Sequence, residues 1–75
     1  MKYTNDQIMR LTTDELIEMK GKVVKVLVEI KKEYFGIIEN LVEASAPNPS
    51  NLIASIIIDG KIIDLPKISN LELID

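Results

Sequence analysis

Along residues 23–30, Val24, Val26, Val28 and Ile30 alternate with Val23, Lys25, Leu27 and Glu29. That period of two predicts a strand with one apolar wall and one mixed wall. Lys31, Lys32 and Glu33 predict a short turn, after which residues 34–43 resume an extended pattern through Phe35, Ile37, Ile38, Leu41 and Val42. Gly36 lies inside this second strand, where a glycine weakens the ladder unless the backbone bends sharply or meets another segment closely. The alternation slips at Glu39 and Asn40, as a bulge would make it. Residues 44–51, with Pro47, Asn48, Pro49 and Ser50, predict the one long loop, because two amide donors are missing there. Residues 52–58 return to strand, Asp59-Gly60 matches a two-residue type I′ hairpin turn, and residues 61–65 form the returning strand. Pro66 ends it, residues 67–69 have room for one 3₁₀ turn, and residues 70–74 make a fifth, short strand with Leu71 and Leu73 on one face.

The first twenty residues read differently. Thr4 is followed three positions later by Gln7, and Thr12 by Glu15. Each pair is a capping box, in which side chains at both ends satisfy amide donors that a helix start leaves open, so two short helical turns are predicted. Asp14, Glu15 and Glu18 place negative charge in the second, where the N-terminal dipole favours it, and Gly21 stops it. Leu11, Leu16, Ile17 and Met19 give it an apolar patch. So short a helix is unstable alone and must lie on the sheet that follows. The expected architecture is one domain over residues 1–75: a helical segment at 1–20 and a small five-stranded antiparallel β-barrel at 21–75.

Composition narrows the chemistry. The chain of 75 residues is 47% hydrophobic, which excludes a disordered tail. No apolar run exceeds three residues, as at 26–28 and 56–58, against the ~20 that a membrane-spanning helix needs. Asn5, Asp6 and Arg10 stand where the apolar stretch of a signal peptide would have to be. A chain without cysteine carries no argument for an oxidising compartment, so the cytoplasm is expected. With neither His nor Cys, imidazole, thiolate and zinc-water catalysis are excluded, and three dispersed glycines make no phosphate-cradling loop. A non-enzymatic protein with no cofactor is the expectation, because a core this small leaves little room for a pocket.

Gly21 and Lys22 after the helix, alternate Val24, Val26 and Val28, Tyr34, and Gly36 followed by Ile38 stand at the spacings of the first Sm motif. Over about half of its length the chain resembles the Sm-like proteins, small SH3-like barrels preceded by a helix that associate into rings and bind RNA. The segment Asn70-Leu71-Glu72-Leu73-Ile74 is a weaker echo of the family's last strand. The family grips RNA with an Asp and an Asn in the loop after its second strand and with an Arg-Gly pair before its last. Here the first loop is rebuilt around Pro47 and Pro49, and Lys67-Ile68 stands in place of Arg-Gly. The resemblance therefore implies an SH3-like barrel and self-association, and does not carry the RNA-binding residues over.

Charge and surplus aliphatics supply the remaining candidates. Between residues 20 and 32, Lys20, Lys22, Lys25, Lys31 and Lys32 stand against Glu29 alone, a local +4 in a chain of net charge −3, so the remainder carries −7. Read functionally, these lysines contact the phosphates of a nucleic acid. Read plainly, they are a solvated strand face that discourages edge-to-edge aggregation, and the acidic net charge and scarce aromatics favour this reading. Tyr34 and Phe35 point to opposite walls, so one is free to be a contact, although a core without tryptophan has use for both rings. Asp59 and Asp64 are carboxylates that a hard cation would accept, but turn chemistry already explains Asp59-Gly60. Val23, Leu27, Ile53, Ile57, Ile62 and Ile74 all fall opposite the predicted core wall, more than the helices can cover, and each exposed aliphatic forgoes about 1.5–3 kcal/mol of burial. The leading expectation is an interaction module working through protein contacts and self-association, with Val23, Leu27, Tyr34, Phe35, Ile53 and Ile57 as its contact residues. A nucleic-acid binder using the five lysines is the alternative, and a small acidic inhibitor or immunity-type protein the third.

Overall fold

The computed structural model describes residues 1–45 and 52–74. In chain order it contains β1 (Lys2–Thr4), α1 (Asn5–Met9), α2 (Thr13–Glu18), β2 (Val23–Val28), β3 (Lys32–Glu43), β4 (Ile53–Ile58), β5 (Lys61–Asp64), a 3₁₀ turn (Leu65–Lys67) and β6 (Ile68–Ile74). The protein is mainly β. Its strands form one six-stranded sheet in the order β1-β6-β2-β3-β4-β5, every neighbouring pair antiparallel, with β1 and β5 at the open edges. The loop expected around Pro47 and Pro49 lies outside the described residues.

Both capping boxes form. Thr4 accepts from the Gln7 amide while the Gln7 side chain accepts from the Thr4 amide, and Thr12 and Glu15 do the same. Gly21, at φ 87°, ends the second helical segment in a conformation that only glycine adopts without strain. The two helices and the residues that follow each of them send Ile8, Leu11, Leu16 and Met19 into a single core with Val24, Val26, Ile38, Ile56, Ile58, Ile63, Leu65, Ile68 and Leu71 from the sheet and the 3₁₀ turn. Asn5 fastens α1 to that turn, its Nδ2 donating to the carbonyls of Leu65, Pro66 and Ile68.

Long β3 serves both halves of the sheet, pairing with β2 through its first part and with β4 through its second. The register shifts between Ile38 and Asn40, so Glu39 is the bulge that the alternation announced. Gly36 lies on the inner wall opposite Val24, and a Cβ there would sit 3.1 Å from Ile58 Cγ2. The absence of a side chain there lets Ile58 pack closely against β3. At the β4–β5 turn Asp59 and Gly60 both take positive φ, 51° and 75°, as a type I′ turn requires.

Four expectations are corrected. The N-terminal segment is not wholly helical: residues 2–4 add a sixth strand, because Lys2, Tyr3 and Thr4 find ladder partners in Glu72, Leu71 and Asn70. β2 ends at Val28, and Glu29 and Ile30 make the turn at φ 54° and 56°, which leaves Ile30 79% exposed and removes it from the core wall. The 3₁₀ turn comes two residues early, at Leu65–Lys67, and β6 is correspondingly longer. Ile17 is exposed on the solvent side of α2, since Leu16 and Met19 alone face inward.

Candidate interaction surface

Directly opposed residues on neighbouring strands point to the same wall, so the ladder registers lay out the outer wall of β6, β2 and β3 row by row. Ile74, Val23 and Ile37 make one row, Glu72, Lys25 and Phe35 the next, and Asn70, Leu27 and Glu33 the third. Lys2 of β1 extends the middle row beyond Glu72. Phe35 is 66% exposed and Ile37 51%, while Val23, Leu27 and Lys25 are half-buried by their neighbours. Lys25 Nζ lies 3.5 Å from Glu33 Oε2 in a solvated ion pair, of a kind worth at most about 1 kcal/mol. The helices pack into the core rather than over this wall.

The contact residues expected from the sequence divide. Val23, Leu27 and Phe35 share this outer wall. Tyr34 points the other way, opposite the buried Val26, and packs partly against the core. Ile57 is half-buried and paired with Asn40 and with Ile62, itself 65% exposed, which makes a second, smaller apolar spot on β4 and β5. Ile53 is a correction: it is 5% exposed and belongs to the core, because the register shift between Val42 and Glu43 turns the start of β4, and Met9, Ala54 and Leu65 border the depression beside it. Ile37 was missed, although alternation from Phe35 across Gly36 puts it on the same wall once the bulge is placed at Glu39.

The five lysines do not form one patch. Lys20 and Lys22 follow α2 at one end of β2, while Lys31 and Lys32 stand at the other, about 20 Å away at ~3.3 Å per strand residue. Lys25 sits between them, paired with Glu33. Lys31 lies in the turn rather than on the outward face of a strand. Lys32 instead comes over the Tyr34 ring at 5.3 Å, and Lys61, unmarked in the sequence, comes over the same ring at 5.1 Å. Only the β4–β5 register, which pairs Lys61 with Ile58, brings it there.

Asp64 accepts a 2.7 Å hydrogen bond from the buried Ser55 hydroxyl and faces Lys67, so its carboxylate is engaged by the protein itself. Among the described residues no group of three or more His, Cys, Asp or Glu side chains is arranged to hold a metal ion. No helix among them is long and apolar enough to cross a membrane. No family model, curated protein or solved structure matches the chain.

Proposed function

We propose that this protein is a non-enzymatic interaction module that works through protein contacts and associates with itself. The observation that carries the reading is the outer wall of β6, β2 and β3, where Phe35 and Ile37 stand exposed beside Val23 and Ile74 in adjoining rows. Scattered exposed aliphatics are ordinary on a monomer, whereas an apolar row of Ile74, Val23 and Ile37 adjoining an exposed aromatic ring and a row of charges is the make-up of a contact surface. We read the sheet as a small barrel of the SH3-like, Sm-like kind left open at β1 and β5; the length of β3, its bulge at Glu39 and the 3₁₀ turn before the last strand support that reading.

Sedimentation equilibrium at micromolar concentration tests the function. The expected mass is a multiple of 8.4 kDa. Phe35→Ala should weaken association at least about thirtyfold, since the exposed two-thirds of the ring forgoes about 1–2 kcal/mol per copy and a symmetric contact counts it twice. A mass of one chain at every concentration refutes the reading.

A second reading, nucleic-acid binding, draws on Lys32 and Lys61 flanking Tyr34. Fluorescence anisotropy with oligo(U) at low salt should then show binding that falls steeply as salt rises and is lost in a Lys32→Ala, Lys61→Ala double variant. Absence of binding at tens of micromolar ends it.

A further inference from the structure

We infer that the occupant of the outer wall is the same wall of a second copy, related by a two-fold axis that runs along the strands between β2 and β6. The inference rests on the reading above and adds the partner and the register. Its basis is the middle row, which reads Lys2, Glu72, Lys25, Phe35 across four adjacent strands. Reversed and laid on itself, this row sets Glu72 against Lys25 of the second copy, Lys25 against Glu72, and each Phe35 ring against a Lys2 ammonium. Every position meets a complementary one, and the cation over the ring is itself attractive.

Other placements of the axis are poorer. Through β2 it would set Lys25 against Lys25. Between β2 and β3 it would set Lys25 on Phe35 and leave both Glu72 carboxylates facing no cation. The chosen axis also brings Val23 onto Ile74 in the apolar row, twice, and opposes no like charges in the third row, where Leu27 meets Asn70. Packed sheets keep their strands within about 30° of each other and stand about 10 Å apart, a gap that lysine and glutamate side chains span together. The contact is isologous, so it closes at two copies and leaves no open end for further growth.

Reversing one charge of the central pair places two repulsive contacts in each dimer, and reversing both restores the attraction with the signs exchanged. Sedimentation equilibrium of the full chain should therefore show a dimer for the native protein and association weakened tenfold or more for Lys25→Glu and for Glu72→Lys, since like charges set together in an interface are strongly unfavourable. The double variant K25E/E72K should recover to within a few-fold of native. Circular dichroism melts establish that each variant folds. Should a central variant unfold, Lys2→Glu carries the test from the exposed end of the row, with weakening of several-fold expected. Association that is indifferent to all three single changes, or a double variant no better than its parents, overturns this register while leaving self-association standing. A native chain that is monomeric throughout overturns both.

Discussion

Ile30 is a β-branched residue at φ 56° on the β2–β3 turn, and its side chain is largely exposed. A non-glycine residue in the left-handed region costs roughly 1–2 kcal/mol, because its Cβ crowds the following carbonyl. Asparagine tolerates that region, so Ile30→Asn should recover most of the strain. The loss is small: with Ile30 79% exposed, about a fifth of the ~1.5–3 kcal/mol available from full burial is at stake, or about 0.5 kcal/mol. The Ile30 amide that donates to Ser69 Oγ at 2.9 Å belongs to the backbone and survives the change. The net expectation is a gain of about 1 kcal/mol, which in a domain of this size raises the melting temperature by roughly 4–8 °C. Circular dichroism melts at one fixed protein concentration read it, so that self-association does not enter the comparison. Ile30→Ala is the control, since it keeps the Cβ but lacks the short polar side chain with which asparagine hydrogen-bonds locally in this region, and it should gain less. A melting temperature that is unchanged or lower for Ile30→Asn, or an equal gain for Ile30→Ala, would refute the strain argument.

Two further changes test the interior by urea denaturation. Gly36→Val should destabilise by about 1–3 kcal/mol and Gly36→Ala by less, because the added methyl groups press on Ile58, whose buried side chain has little room to give. A Gly36→Val protein as stable as the parent would mean that the Ile58 side chain gives way to the new methyl groups without cost. Asp64→Ala should cost about 1–3 kcal/mol by leaving the Ser55 hydroxyl without its acceptor, and the double change with Ser55→Ala should recover part of that loss. If the double variant is less stable than Asp64→Ala alone, the hydrogen bond is not what Asp64 contributes.

Much of the fold was legible because its signals are local. A capping box spans three residues, so Thr4 with Gln7 and Thr12 with Glu15 declare their turns without reference to anything distant. Asp59-Gly60 is as self-contained, since the type I′ geometry depends on what those two residues tolerate. Alternation along 23–28 separated the walls of β2 correctly, with Val24 and Val26 inside and Val23 and Leu27 outside. The same alternation failed at Ile30, where a turn formed without the glycine or asparagine that usually marks one. It failed at Ile53 because a register shift exchanges walls without changing the residue pattern.

The composition of the outer wall belongs to the tertiary structure. Phe35 and Lys25 become neighbours through the β2–β3 hairpin, but Glu72 reaches Lys25 only because the last strand returns beside β2, and Lys2 reaches Glu72 across nearly the whole length of the chain. Side-chain direction along a strand follows from the backbone's own period of two, so the sequence by itself determined which residues share a wall within each strand. Which strands lie side by side depends on long-range ladder hydrogen bonds and shared burial, and only the folded chain decided that a lysine, a glutamate, a second lysine and a phenylalanine would stand in one row.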